Sequence, residues 1–455
     1  MLSGGGALGA YEVGVLRVLE AVGFRPAVLA GVSIGAINAV VWRAHDGRTR
    51  PLEDVWRRIT PADVGFRWVT LLLRALGGVI AVVGLFELVL TLAGSRELSG
   101  SHWLWHRASA RLDLASTVLD LWMWGLFTMA GISAALFSRQ VETWLARRRP
   151  GSVSRRTWWR AGRVLLGLWL VYGVVWLGGF PWPHRFTVSV LAVATLLWVA
   201  NRPGQSNRWA RLLLHAFLPE TRGRGLWSAA ARKRMVELLV AAGDRRRLVD
   251  PDACLILSAL ALDTGRTTHF VSGGRPDDDF ARRLAEELGE VVVVRDPADV
   301  QVAALASSAI PGIFEPERLI GRDFVDAGGF TNQPLHVALA AGADAVLVVL
   351  LSPSGSPAPA PPPESLFALA GRLLELANWR DMQTELRSLP PEWLSAQSPA
   401  RLCVVEPDSA LPGGVLGFDP AQAGGLIARG EEDAWRALER AGWLERCAAE
   451  NASAL

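Results

Sequence analysis

Four apolar runs in the middle of the chain restrict its possible folds more than any other feature. Residues 69–93 are apolar except for Arg74 and Glu87, and residues 118–137 are apolar after Asp120. Both are long enough to cross a hydrocarbon core, which takes about 20 residues. Two further runs, 164–178 and 186–200, share the break Gly179-Phe180-Pro181-Trp182-Pro183. At roughly 15 residues each they are marginal spans. Tryptophan gathers at the ends of the runs and between them (Trp68, Trp103, Trp105, Trp144, Trp158, Trp159, Trp176, Trp182, Trp198), as in the aromatic belts of membrane proteins. The strongly basic loops are 139–163, with Arg147-Arg148-Arg149, and the stretch after the fourth run, with Arg202, Arg208 and Arg211. With both chain ends in the cytoplasm and all four runs crossing, these loops fall inside, as the positive-inside rule requires. Buried helices of a soluble domain, or helices lying on a membrane surface, would give a similar pattern, and Arg74, Glu87 and Asp120 would be costly in lipid. The expectation is a helical insert over residues 66–222 with up to four transmembrane segments, in a membrane such as the bacterial inner membrane.

Composition agrees with a mixed character. The 455 residues are 51% hydrophobic and 20% charged, with a net charge of +3. The basic residues are nearly all Arg and cluster beside the apolar runs, so they read as membrane-flanking and not as a nucleic-acid surface. Three cysteines (Cys254, Cys403, Cys447) without metal-like spacing imply no metal site and no disulfide framework. The start, MLSGGGALGA, has neither a basic nor an apolar leader region, so the N-terminal part is expected in the cytoplasm. A very short lead-in to the glycines is also what a start that trims the first strand would leave.

Either side of the insert the chain reads as globular. Residues 10–21 and 228–242 have helical patterns, 254–262 and 343–351 are apolar strands, and 290–295 is a β-branched run. Residues 299–308 and 421–441 read as helices, 402–405 as a last strand, and 352–364 as a Pro-rich loop. Strands alternating with helices predict an α/β fold, its catalytic part divided into 1–65 and 223–455.

Three glycine-flanked elements carry the chemistry. Gly31-Val32-Ser33-Ile34-Gly35 is a G-x-S-x-G pattern between an apolar run and a helical run, the context of a nucleophile elbow. Gly31 and Gly35 allow the sharp turn, and Ser33 stands at a helix N-terminus, which favours developing negative charge. Gly4-Gly5-Gly6-Ala7-Leu8-Gly9 fits the dinucleotide pattern G-x-G-x-x-G. Only Met1, Leu2 and Ser3 precede it, however, and no acidic residue closes a second strand. The glycines are better used as an oxyanion hole for Ser33. The third element is Asp326-Ala327-Gly328, at the end of an apolar strand, where Asp326 can act as the base that a serine nucleophile needs. A strand-end turn aspartate would look the same. His336 is the one histidine that follows Asp326 in a Ser…Asp…His order, and a solvated helix histidine is its ordinary reading.

With these residues in place the chain resembles the patatin-like phospholipase family. The matching pieces are LSGGGALGAYEVGVL, GVSIGAIN, LILSALALDTGRTTHF, ASSAIPGIF, FVDAGGFTNQPL and VLGFDPAQAGGLIARG. They cover about residues 1–58 and 225–442. The resemblance implies a three-layer α/β/α sandwich with a mainly parallel sheet and a Ser33–Asp326 dyad. Ser33 would be the nucleophile, Asp326 the general base, and the N–H groups of Gly4, Gly5 and Gly6 the oxyanion hole. Gly9, Gly31, Gly35 and Gly328 would be motif glycines. It implies no cofactor, no metal, and hydrolysis of lipid esters through an acyl-enzyme. Two departures stand out: Leu8 occupies a place that is often Arg or Lys, and the insert matches nothing in the family core. The expected protein is a membrane-associated lipid acyl hydrolase with a membrane lipid as its substrate. A lipid acyltransferase using the same dyad, or a non-catalytic patatin-like membrane protein, would share this sequence pattern.

Overall fold

The chain divides into two units, Met1–Phe66 with Arg224–Leu455, and Arg67–Gly223. The computed structural model describes residues 1–61, 63–65, 68–92, 111–141, 225–227, 229–274, 278–329, 331–332, 335–355, 366–393 and 400–453. The third and fourth apolar runs, the basic loop from residue 142 on, and most of the Pro-rich loop lie outside the described residues.

In chain order the elements are α1 (Ala10–Ala21), β1 (Val28–Val32), α2 (Ile34–Ala44), α3 (Arg50–Trp56), α4 (Trp68–Leu92) and α5 (Arg111–Leu136). Then come β2 (Gly225–Trp227), α6 (Ala230–Ala241), β3 (Cys254–Ala261), β4 (Thr267–Gly273), α7 (Asp278–Leu288), β5 (Glu290–Val293) and α8 (Pro297–Ser307). Next are β6 (Gly312–Phe314), β7 (Glu317–Leu319), β8 (Arg322–Asp326), α9 (Leu335–Ala340) and β9 (Val346–Val349). The last are α10 (Leu366–Ser388), β10 (Leu402–Val405), α11 (Pro420–Arg440) and α12 (Trp443–Ser453).

In the first unit β3 is the strand around which the others are arranged. Its sequence, CLILSALA, is buried at every position but one, so the strand is covered on both faces. One edge takes β4, antiparallel, with β5 parallel beyond it. The other edge is shared. Parallel β1 lies along its first residues, from Val28 opposite Cys254 to Val32 opposite Ser258. Antiparallel β8 takes over at the next position, with Asp326 opposite Ala259 and Phe324 opposite Ala261. Strand β7 follows β8. Leu2 bridges Gly31 on one side and Val349 on the other, both in parallel register, and so links β1 to the parallel pair β9–β10. The α/β class expected from the sequence is present, and the sheet is mixed, with antiparallel pairs on both edges of β3.

Sheet residues Ile256, Val271 and Val348 pack with Leu284 of α7, Val337 of α9 and Met382 of α10. Each is at most 5% exposed, and full burial of such a side chain is worth about 1.5–3 kcal/mol. Helices α1 and α11 cross at glycines. A Cβ on Gly14 would lie 2.7 Å from the Glu431 nitrogen, and one on Gly430 would meet the Tyr11 backbone. The crossing is pinned by Tyr11 Oη, which donates to Asp433 Oδ2 at 2.9 Å.

In the second unit α4 and α5 pack antiparallel along small residues. A Cβ on Gly77 would meet Gly131 O at 2.5 Å and Ala135 N at 3.0 Å. One on Gly84 would meet Thr128 N at 2.8 Å. Gly77, Ala81 and Gly84 thus form a small-residue stripe against Thr128, Gly131 and Ala135. Many of the large apolar side chains of both helices point away from this seam: Leu72, Leu76, Leu85, Val89, Trp122, Leu126 and Met129 are exposed, while Val83 and Trp124 are buried. Among the described residues one helix is long and apolar enough to cross a membrane, over Thr70–Val89, with a mean hydropathy of 2.1. In α5 the continuously apolar part is the shorter Trp124–Leu136.

Candidate active site

Ser33 and Asp326 meet because two strands end head-on against one edge of β3. Strand β1 runs along β3 as far as Ser258, and β8 comes the opposite way and stops at Ala259. The residue after Val32 and the last residue of β8 therefore share one point in space, although 293 positions separate them. There Ser33 Oγ donates to Asp326 Oδ2 at 2.5 Å. The other carboxylate oxygen, Oδ1, accepts the Gly328 N–H at 2.7 Å. A Cβ on Gly328 would lie 3.0 Å from that oxygen, so the turn after β8 is closely packed there.

The serine is held in a strained backbone. Its φ is 54° and ψ −122°, a region that costs a non-glycine residue of order 1–3 kcal/mol and persists only where its surroundings enforce it. The enforcement comes from both sides. A Cβ on Gly31 would meet the Gly35 carbonyl and the Ala36 backbone at 2.7–2.8 Å. One on Gly35 would meet Leu2 and Ser3 at 2.6–2.8 Å. The strand before the turn and the helix after it thus approach to backbone contact. The Ser33 N–H donates to Ser307 Oγ at 2.8 Å, and Ser307 Oγ donates to the Ser258 carbonyl at 2.6 Å.

The glycine loop lies beside the turn. Gly4 packs against the Ser33 Cβ, and its N–H faces the Asn332 carbonyl at 3.4 Å. The Asn332 side chain returns the contact, with Nδ2 donating to Gly4 O at 3.1 Å. Gly4 is thereby clamped. Gly5 and Gly6 open the short turn Gly6–Gly9, where N–H groups lack intrahelical acceptors. Gly6, at φ +55°, faces the Val415 carbonyl where a Cβ would stand. Gly9 is packed against Ile34 and Trp56. Leu8 contributes its N–H to the Gly5 carbonyl. Asn38 joins the loop to the elbow helix: Nδ2 donates to Gly9 O at 3.1 Å and to Glu12 Oε2 at 2.8 Å, and Oδ1 accepts from Trp56 Nε1.

An apolar pocket adjoins Ser33. Its lining includes Ile37, Leu52, Trp56, Ile59, Phe314 and Phe418, with Arg232 and Asn38 among the few polar members. Asp326 is 5% exposed. Burial raises its pKa to about 6, against the Ser33 hydroxyl, the Gly328 N–H and Arg232, which lower it. It is therefore mostly ionised at neutral pH and can accept a proton. His336 is not brought to the pair: its Nδ1 lies 2.7 Å from Glu385 Oε1. Among the described residues no group of three or more His, Cys, Asp and Glu could hold a metal ion.

Three supporting residues carry no local sequence signal of their roles. Ser307, Asn332 and Arg232 act through long-range contacts. Two of them lie in quoted motifs, ASSAIPGIF and FTNQPL, where only the recurrence of the string could have pointed to them.

The Patatin-like phospholipase family model matches residues 1–171, so the likeness to that family is shown for a span that holds the glycine loop and the serine elbow. Asp326 lies outside the matched span. No match was found among curated proteins.

Proposed function

We propose that this chain is a membrane-associated lipid acyl hydrolase acting through a Ser33–Asp326 dyad. One observation carries the reading: a strained serine hydrogen-bonded at 2.5 Å to a buried carboxylate, beside an apolar pocket. The family match supports lipid ester hydrolysis in general.

Asp326 takes the Ser33 proton as Oγ attacks the ester carbonyl, and the N–H groups of Gly5 and Gly6 receive the oxyanion. As the tetrahedral intermediate collapses, the proton passes from Asp326 to the leaving alcohol. Water, deprotonated by the same carboxylate, then hydrolyses the acyl-Ser33 and releases the fatty acid. The apolar pocket takes the acyl chain. The catalytic domain, a three-layer α/β/α sandwich built from 1–65 and 223–455, works on the cytoplasmic side. The insert 66–222, with spans at 69–93, 118–137, 164–178 and 186–200, anchors it to the lipid that it consumes. The outward apolar face of α4 and α5 supports this anchoring, because water would leave it uncovered.

A lipid hydrolysis screen with purified protein tests the reading. Wild type should release fatty acid, while Ser33→Ala and Asp326→Asn should not. Full activity in either variant would sink the dyad.

A further inference from the structure

Arg232 is 3% exposed and lines the pocket beside Ser33. A charge so placed is costly unless it is paired. Its Nη1 donates to the Ser308 carbonyl at 2.5 Å, Nη2 reaches Glu317 Oε1 at 3.3 Å, and its guanidinium carbon lies 4.3 Å from the centre of the Phe314 ring. The Nε hydrogen is buried without a partner.

The place where it is anchored matters. Ser307 holds the Ser33 N–H, and the Ala309 carbonyl accepts the Asp326 N–H at 2.9 Å. Ser308, between them, is what Arg232 grips. Three consecutive residues thus connect nucleophile, cation and base. Strand β2 pairs with β6 in parallel, Trp227 opposite Phe314, so the chain that re-enters the first unit is stitched to the same segment a second time.

We infer that Arg232 is a positioning residue, which fixes the 307–309 segment supporting both members of the dyad. The inference rests on the proposed Ser33–Asp326 hydrolase. After burial, which raises it, the Asp326 pKa is lowered by the Ser33 hydroxyl, the Gly328 N–H and, least, the Arg232 charge, which is itself paired with Glu317. Removing the cation should therefore raise the pKa of the base.

The experiment measures kcat and KM of the full chain on a soluble short-chain p-nitrophenyl ester from pH 5 to 9, with thermal melting to verify folding. Arg232→Gln should lower kcat about tenfold or more, leave KM within about twofold, and shift the acidic limb upward and not downward. Arg232→Lys should keep the limb in place, since the charge remains, but lose part of kcat, since an ammonium cannot reproduce the fork. An unchanged kcat in Arg232→Gln, a limb moved downward, or a rise in KM alone, would overturn the inference. If Arg232→Gln fails to fold, Arg232→Lys decides: wild-type kcat in that variant overturns it equally. Wild type that neither hydrolyses the ester nor reacts with a fluorophosphonate would instead overturn the hydrolase reading, and this one with it.

Discussion

Two helix pairs in this chain make the same close approach and dispose of their side chains in opposite ways. Where α1 meets α11, Gly14 and Gly430 let the backbones touch. Almost all of α1 is buried, and α11 turns Leu426, Ile427 and Leu438 inward and Gln422, Glu432 and Glu439 outward. Where α4 meets α5, Gly77, Gly84 and Gly131 do the same work. There many of the large apolar side chains point outward, Leu72 and Leu76 being 60% exposed and Trp122 67%, although Trp124 and Val83 are buried. A glycine crossing by itself therefore says nothing about the solvent. What differs is which side of the seam receives more of the apolar bulk, and that is the feature on which the proposed membrane anchoring of α4 and α5 rests.

The largest expected effect separates the two regions by function. Ser33→Ala should lower ester hydrolysis by about 10³-fold or more, with unchanged melting and unchanged sedimentation with membranes. Loss of membrane association in that variant would break the division between a catalytic and an anchoring unit. Next, Gly430→Leu forces a side chain into the Tyr11 backbone and should destabilise the catalytic unit by about 3 kcal/mol or more, read as a lower denaturation midpoint. A wild-type midpoint would mean that the crossing is looser than described. The outward faces provide a matched pair. Leu76→Lys should weaken membrane insertion by about 2.5–3.5 kcal/mol if that position lies at the bilayer centre, measured by carbonate extraction. Ala428→Lys, on the exposed side of α11, should change stability by no more than about 0.5 kcal/mol. Equal tolerance of both would erase the contrast. The pH dependence sharpens the picture of the site. Asp326 must be ionised to act, and burial raises its pKa to about 6. Activity should thus be full above that value and fall about tenfold per pH unit below it.

The parts of the site that were legible in the sequence are those whose geometry is local. Gly31 and Gly35 announce a tight turn around Ser33, because only glycine allows the contacts they make with Ala36 and Leu2. Gly328 does the same for the turn that receives Asp326 Oδ1. The strands beginning at Cys254, Glu290 and Leu402 could be read from apolar and β-branched runs. The shared edge of β3 could not. Its register, Ser258 with Val32 and Ala259 with Asp326, is a long-range fact that no window of sequence contains. Ser307 was invisible for a similar reason: in the pair Ser307-Ser308 nothing local shows which hydroxyl supports the nucleophile. Helix α10 escaped notice although it supplies Asp381 to the Asn332 N–H and Glu385 to His336. Its mixed, weakly amphipathic pattern carries little signal.

The head-on meeting of β1 and β8 also bears on how such a chain could be cut and rejoined. The nucleophile and the base reach each other through hydrogen-bonded register on β3, not through the covalent path between them. The linker that leaves the first unit near residue 66 and returns near 224 can then vary in length and content without shifting either group. Fragments ending and starting at those residues, expressed separately, should reassemble into one working enzyme, since Leu2 and β1 slot between β3 and β9 by pairing alone.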